Sequence, residues 1–203
     1  MVIGVFGGSF NPVHNGHIGL AREVVRRGLA DRVMMVVSPL NPLKENPDAL
    51  IDDNLRMEML RIACRPVPSL EASDIELSMP RPSYTIDTLR KLSAEHPDDR
   101  FRLIIGADNW DCFDKWKSHD EILRDFSPIV YPREGYPMPQ GDSQATPLRA
   151  DLLPVSSTDI RRMLKQGKPV NNLVPRGVLD YIQAHSLYGI PSRRHACDSH
   201  QPK

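Results

Sequence analysis

The sequence alternates nearly continuous apolar runs with segments whose apolar residues recur every three to four positions. The apolar runs lie at residues 2–6, 33–37, 101–105 and 129–131. Runs of this kind are typical of strands covered on both faces, as in parallel sheets, and the intervening pattern predicts amphipathic helices. The sequence therefore predicts an α/β fold, with a doubly wound, mostly parallel sheet and crossover helices on both faces. Two further helices, from about residue 157 to 166 and from Pro175, predict a helical C-terminal portion.

The length of the chain indicates one domain. Its 203 residues suffice for one substantial core, and no internal repeat is evident. We expect a single domain over residues 1–189, followed by a polar, aperiodic and flexible tail at 190–203. Residues 135–147 are rich in proline and glycine, and this predicts a surface loop.

Composition excludes several classes of function. The 26 basic and 26 acidic side chains balance, so no global positive field exists to hold nucleic acid. No run is long enough to span a bilayer, and no leader pattern opens the chain. The scattered cysteines Cys64, Cys112 and Cys197 indicate neither a disulfide framework nor a zinc ribbon, so a cytoplasmic setting is expected.

The stretch from Gly4 to His17 predicts an anion site. We expect the first strand to end at Phe6, a glycine turn at Gly7 and Gly8, and a helix starting at residue 15 or 16. Glycine amides and a helix N-terminus both suit phosphate oxygens. His14 and His17 lie three residues apart where the helix begins, so both rings can point to one side.

A second predicted helix start lies at residues 154–161. Ser156, with Asp159 three positions later, approximates a capping box. Ser157 adds a hydroxyl, and Arg161 follows one turn later with a forked set of donors suited to phosphate. Neither helix start is specific alone, but the sequence lacks the glycine patterns of dinucleotide-binding and P-loop proteins and the nucleophile elbow of hydrolases.

Residues in the middle of the chain have side chains and amides that could bind a nucleoside and a cationic ring that carries a carboxylate. Trp116 offers an aromatic face for a cationic ring, and the amides of Tyr84 and Thr85 at a helix start could receive a carboxylate. Asp108, after Gly106 at a strand end, could accept from a ribose hydroxyl. Each also has a structural reading, since Trp116 could be a core residue and Thr85 or Asp108 a helix-start residue.

These motifs together resemble the class I nucleotidyltransferase superfamily. Residues 8–17 are similar to its signature G-x-F-[DN]-P-x-H-x-G-H, and residues 155–161 to its I-S-[SA]-T-x-I-R motif, with valine replacing the first isoleucine. The segments P-S-Y-T at 82–85, G-A-D at 106–108, K-W at 115–116 and L-Y-G at 187–189 resemble the bacterial nicotinate mononucleotide adenylyltransferases. The resemblance covers residues 2–189 and implies a Rossmann-like nucleotidyltransferase fold.

The resemblance implies which residues bind each substrate. For ATP, it implies the residues Gly7, Gly8, Ser9, Phe10, His14, His17, Gly106, Asp108, Ser156, Ser157 and Arg161, with His14, His17 and Arg161 catalytic. For nicotinate mononucleotide, it implies Tyr84, Thr85 and Trp116. Relatives carry P-P-H-[KR] in a longer loop after the second strand, whereas residues 38–44 here read S-P-L-N-P-L-K. Asn41 and Lys44 are the candidates in this loop.

The implied reaction is adenylyl transfer from ATP to nicotinate mononucleotide in NAD biosynthesis. Mg²⁺ would come with ATP, held largely by water and phosphate, so no protein metal site is expected. We expect no nucleic acid or membrane partner, and a homo-oligomer stays possible. Other acceptors remain open, namely nicotinamide mononucleotide, phosphopantetheine and glycerol phosphate, as does a non-catalytic nucleotide-binding protein. No carboxylate is evident at the helix start of Tyr84 to receive an amide, which favours the acid.

Overall fold

The computed structural model describes residues 1–39, 50–140, 144–150 and 153–190. Within them the strands are β1 (Val2–Gly8), β2 (Arg32–Val37), β3 (Leu70–Ser73), β4 (Arg100–Gly106), β5 (Ile129–Tyr131) and β6 (Thr146–Pro147). The helices are α1 (Asn15–Arg26), α2 (Asp53–Cys64), α3 (Thr85–Glu95), α4 (Ala107–Trp110), α5 (His119–Phe126), α6 (Ser157–Lys165) and α7 (Arg176–Ala184). Short 3₁₀ turns lie at Ile75–Ser78, Phe113–Lys115 and Leu187–Gly189.

The strands described form one sheet in the order β3-β2-β1-β4-β5-β6, and every neighbouring pair is parallel. The strand order reverses direction between β1 and β4, which is where ligands bind in open α/β sheets. The predicted doubly wound fold is therefore confirmed, and its sheet is parallel throughout the described strands.

Side chains alternate between two apolar layers along the central strands. On β2, Val33, Met35 and Val37 pack in the layer that contains α1, α2, α6 and α7. Met34 and Val36 pack in the opposite layer with α3 and α5. This alternation follows from the period of two in a strand, and it explains why strands covered on both faces read as continuous apolar runs.

Two details differ from the sequence-based expectation. Gly7 and Gly8 are not a turn, since they continue β1 and pair with Val36 and Val37 of β2. The chain turns after them, where Phe10 takes a left-handed φ of 42°. The segment 135–147, predicted as a surface loop, ends in the strand β6. The backbone N–H of Thr146 donates to the carbonyl of Pro128, just before β5, and β6 pairs with β5. No described helix has the length and apolarity needed to cross a bilayer.

Candidate active site

A cleft of about 900 Å³ opens at the carboxyl ends of β1 and β4. It is lined by all the described site residues named above: Gly7, Gly8, Ser9, Phe10, His14, His17, Tyr84, Thr85, Gly106, Asp108, Trp116, Ser156, Ser157 and Arg161. Parallel strands bring their carboxyl ends to one rim, so segments separated by up to 150 residues share one cavity. Asn41 and Lys44 lie outside the described residues.

The two histidines form a stacked pair at the start of α1. Their ring centroids are 3.5 Å apart at an interplanar angle of 22°. Nδ1 of His14 accepts from the backbone N–H of His17 at 3.3 Å, and Nδ1 of His17 accepts from the backbone N–H of His14 at 3.2 Å. A ring nitrogen that accepts a hydrogen bond carries no proton, so Nε2 is the donor nitrogen of both rings. Each ring can therefore donate one hydrogen bond to a ligand oxygen.

His14 is held in the neutral form by its surroundings. The side chain is buried, with 5% of its surface exposed. Burial is the main cause that lowers the pKa of His14 from 6.5 to about 4, and the positive charge of Arg133 contributes to this shift in the same direction. Removing a charged imidazolium from water is unfavourable, so His14 remains a neutral N–H donor at neutral pH.

The second motif, at the start of α6, is bonded to the loop between β1 and α1. The Ser157 hydroxyl donates to the Pro12 carbonyl at 2.9 Å, and Arg161 Nη1 donates to the Asn11 carbonyl at 2.8 Å. The close approach between the start of α1 and the segment before α6 depends on Gly16, because a Cβ there would lie 3.0 Å from both Val155 Cγ1 and His14 Nδ1. The two helix N-termini thus face the same space.

The predicted cap of α6 is confirmed. Ser156 Oγ accepts from the backbone N–H of Asp159 at 3.0 Å and donates to its carboxylate at 2.6 Å. The hydroxyls of Ser156 and Ser157 are therefore engaged within the protein. Apart from Arg161, this segment can offer a phosphate chiefly the first backbone N–H groups of α6, which have no intrahelical partner.

The end of β4 carries a charged pair. Asp108 Oδ1 lies 3.6 Å from Arg133 Nε, and Arg133 Nη2 donates to the Tyr131 hydroxyl at 3.3 Å. A Cβ on Gly106 would lie 2.2 Å from Asp108 Oδ1, so glycine is required for this arrangement. Arg133 was missed in the sequence. Its position just after β5 is the signal that would have identified it, by the same strand-end rule.

The opposite end of the cleft lies at the start of α3. Tyr84 is the N-cap residue and Thr85 the first helical residue, which places their amides at a helix N-terminus. Lys117 Nζ lies 4.6 Å above the Tyr84 ring and bonds to Asp87 at 2.8 Å. Trp116 is half-buried, with its ring 5.4 Å from that of Phe113.

A buried carboxylate also lines this end, contrary to the expectation from the sequence. Glu76 Oε1 accepts from the Thr88 hydroxyl at 2.8 Å and Oε2 from the Ser83 hydroxyl at 3.3 Å. Burial raises the pKa of Glu76, while hydrogen bonds from the hydroxyls of Ser38, Thr88 and Ser83 act in the opposite direction. Glu76 lies in a short turn with no clear periodicity, so no sequence signal indicated its burial.

Arg56 supports the loops that follow β1 and β2 from behind. Its side chain is fully buried and donates to the carbonyls of Ser9 at 2.6 Å and Ser38 at 3.0 Å. Asp53, one turn earlier on α2, pairs with its guanidinium. The loops after β1 and β2 are thereby tied together. The sequence signal was a charged residue on a helix face that otherwise buries Met59 and Leu60.

Sequence comparisons identify relatives over nearly the whole chain. The cytidylyltransferase-like family matches residues 5–163. A probable nicotinate-nucleotide adenylyltransferase of Cytophaga hutchinsonii is 41% identical over 197 residues, covering 93% of this chain and 98% of its own length. One of Bacteroides thetaiotaomicron is 38% identical over 184 residues, covering 90% of this chain and 91% of its own.

A solved structure matches the fold at much lower identity. It is the Plasmodium falciparum nicotinic acid mononucleotide adenylyltransferase complexed with NaAD, with a TM-score of 0.74 at 18% identity. The match covers 94% of this chain and 98% of that one. Similarity at this level concerns the fold alone, and it confirms the Rossmann-like nucleotidyltransferase architecture.

Proposed function

The chain belongs to the nicotinate-nucleotide adenylyltransferase family, and we propose that it transfers the adenylyl group of ATP to nicotinate mononucleotide in NAD biosynthesis. The products are nicotinic acid adenine dinucleotide and pyrophosphate. The observation that carries this proposal is the bonded pair of helix N-termini, which gathers His14, His17 and Arg161 around one cavity.

The phosphate end of the cleft suits the triphosphate of ATP. The Nε2–H groups of His14 and His17 and the guanidinium of Arg161 are its side-chain donors. The backbone that follows β1 and the amides of Ser156 and Ser157 at the start of α6 add donors that carry no full charge. These groups supply the contacts that a polyanion needs without making the whole chain basic.

In the proposed reaction, a phosphate oxygen of the mononucleotide forms a bond to the α-phosphorus of ATP. The bond from that phosphorus to the bridging oxygen breaks, and its electron pair leaves with pyrophosphate. The attacking phosphate is already ionised, so no general base is required. Catalysis therefore rests on positioning the two anions and stabilising charge on the α-phosphoryl and leaving groups. His14 and His17 donate as that charge develops, and Arg161 holds the departing pyrophosphate.

Members of this family generally use a divalent metal ion with ATP. Among the described residues, no group of three histidine, cysteine or acidic side chains is arranged to hold a metal. The donor set here suits phosphate rather than a cation, so we assign Mg²⁺ to the nucleotide itself. Mg²⁺ bound to the phosphates and water would neutralise part of their charge.

The other two parts of the cleft suit the nucleosides. At β4, Asp108 can accept from a ribose hydroxyl of ATP, and Arg133 beside it adds a planar cation. At α3, the Trp116 face can stack on the pyridinium ring, and the amides of Tyr84 and Thr85 can receive the nicotinate carboxylate. Lys117 adds positive charge near that carboxylate. Asn41 and Lys44 remain candidates for the same substrate.

One observation favours nicotinamide mononucleotide as a second candidate acceptor. The Glu76 carboxylate lines the same cavity and could accept from a carboxamide NH₂. A carboxylate offers about four lone-pair sites, and hydroxyls of Ser38, Ser83 and Thr88 already donate to Glu76. Little accepting capacity is left, whereas the helix N-terminus provides donors. We therefore favour the acid.

The deciding experiment compares the two mononucleotides at saturating ATP and Mg²⁺, with products identified by mass. We expect kcat/KM for the acid to exceed that for the amide by at least about tenfold, which needs only ~1.4 kcal/mol of discrimination. Equal or better use of the amide would contradict nicotinate mononucleotide as the preferred acceptor, but it would not contradict the mechanism of adenylyl transfer. Absence of product with either would contradict the proposed function.

We also propose that residues 1–189 act as one domain with a tail at 190–203, working in the cytoplasm. The two apolar layers are continuous with one sheet, and this supports a single domain. Cys64 and Cys112 carry free thiols, and reduced cysteines are usual in the cytoplasm, so the cysteine pattern supports that location. Sedimentation would test whether the protein forms a homo-oligomer.

A further inference from the structure

Tyr188 lies behind the loop that joins β1 to α1, beyond the residues 5–163 that match the cytidylyltransferase-like family. It belongs to the 3₁₀ turn Leu187–Gly189, and its ring packs in the apolar layer of α1 and α6. Its hydroxyl donates to Asn11 Oδ1 at 2.9 Å, and both side chains are buried. A residue near the C-terminal end of the chain therefore holds the loop after β1.

Asn11 connects this contact to the cleft. While its side-chain oxygen accepts from Tyr188, its backbone carbonyl accepts from Arg161 Nη1 at 2.8 Å. The next carbonyl, that of Pro12, accepts from Ser157. Displacement of Asn11 would therefore move the acceptor that orients the Arg161 guanidinium.

The backbone of Tyr188 indicates that its position is demanding. Tyr188 has φ 59° and ψ 25°, a left-handed conformation that is sterically unfavourable for a bulky side chain. Such residues persist only where their surroundings hold them, often at functional sites. Here the surroundings include a buried hydrogen bond that phenylalanine could not make. Burial also raises the pKa of Tyr188 above the ordinary value, at which a tyrosine is already protonated at neutral pH, so the hydroxyl is a donor.

We propose that Tyr188 is a positioning residue for adenylyl transfer, whose hydroxyl fixes Asn11 and through it the guanidinium of Arg161. The proposal rests on the function proposed above. Tyr188 does not touch substrate, and it acts by keeping a donor in the geometry that the leaving pyrophosphate requires. Small misplacements of such donors have large effects on rate.

The first test is Tyr188→Phe, which keeps the ring and removes only the hydroxyl. We expect kcat to fall about tenfold and KM for the mononucleotide to change by less than about twofold, because the residues assigned to the mononucleotide lie on other segments of the chain than Asn11 and Tyr188. The matched control is Tyr181→Phe, on the neighbouring helix α7, which should behave like the wild type. Unchanged kcat in Tyr188→Phe would overturn the proposal, as would an equal loss in Tyr181→Phe.

A double-mutant cycle separates positioning from general destabilisation. In an Arg161→Ala background there is no guanidinium to orient, so adding Tyr188→Phe should reduce kcat by less than about twofold. A loss in that background as large as in the wild type would show that Tyr188 does not act through Arg161, and would overturn the proposal.

A second pair of variants covers the case in which Tyr188→Phe does not fold. Asn11→Asp keeps an oxygen acceptor for the Tyr188 hydroxyl, so we expect it to retain more turnover than a variant without that acceptor. Asn11→Ala keeps the backbone carbonyl but loses the side-chain acceptor, and it should show the loss expected for Tyr188→Phe. Equal activity of these two variants would overturn the proposal.

Calorimetry with ATP and Mg²⁺ alone distinguishes failure of this inference from failure of the proposed function. If the wild type does not use nicotinate mononucleotide, the acceptor assignment fails. The positioning role is still supported if Tyr188→Phe or Asn11→Ala weakens ATP binding while Tyr181→Phe does not. Identical ATP affinity in all variants, with identical kcat where turnover is measurable, would overturn it.

Discussion

Replacing His14 with asparagine should make the protein more resistant to acid. Asparagine is a favourable N-cap residue and can accept from the His17 backbone N–H, as His14 Nδ1 does now. It cannot titrate. His14→Asn therefore removes one protonation equilibrium while keeping the start of α1 intact.

The sign and size of the effect follow from the pKa of His14. Burial, with a smaller contribution from Arg133, lowers that pKa from 6.5 to about 4. Between these pH values the unfolded chain binds a proton that the folded protein does not, so the free energy of unfolding falls as pH falls. Since one unit of pKa corresponds to about 1.4 kcal/mol, the loss attributable to His14 between pH 7 and pH 5 is about 2 kcal/mol.

The assay is urea unfolding of the wild type and His14→Asn at pH 7 and pH 5. The wild type should lose about 2 kcal/mol more than the variant, because other titrating groups contribute equally to both. Arg133→Gln should reduce the excess loss without abolishing it, since burial is the larger cause. Equal losses in the wild type and His14→Asn would refute the view that His14 is held neutral by burial.

Three further outcomes are expected in steady-state assays. His17→Ala should lower kcat by about 10²–10³, because it removes a donor to the charge that develops on phosphate; near wild-type turnover would contradict that role. Arg161→Lys should lose most activity while mononucleotide affinity measured without ATP stays unchanged, since an ammonium cannot reproduce a forked donor. Weakened mononucleotide binding would assign Arg161 to the other substrate. Glu76→Gln should raise KM for the mononucleotide and leave KM for ATP unchanged, because Glu76 holds Ser83 and Thr88 beside the start of α3. A change confined to ATP would place Glu76 in a different role.

Much of the architecture is determined locally and could be predicted from the sequence. The apolar runs predicted β1, β2, β4 and β5, since a strand buried on both faces must be apolar along its length. The spacing of His14 and His17 predicted rings on one side of a helix start, and they stack. Ser156 and Asp159 predicted a cap that the structure contains. Each depends on residues within a few positions of one another.

Local patterns failed where strand pairing decided the outcome. Gly7 and Gly8 resemble a turn in sequence, yet β2 provides partners that continue the strand through them. Thr146 and Pro147 lie in a proline-rich segment, yet they join the sheet because β5 has an edge beside them. In both cases the strand that supplies the backbone hydrogen bonds is distant in sequence. The strand propensity of the local residues takes no account of that partner.

The polar groups that organise the site were decided only by the tertiary structure. The sequence predicted His14, His17 and Arg161 as phosphate ligands, and the structure brings all three to the lining of one cavity. It did not predict the supporting contacts of Arg56, Glu76 and Tyr188, which bond to loop carbonyls and side chains around the cleft. A buried charge or hydroxyl is tolerated only when distant carbonyls or hydroxyls meet it. The partners of Tyr188 and Arg56 lie 177 and 47 residues away, so only folding brings each pair together.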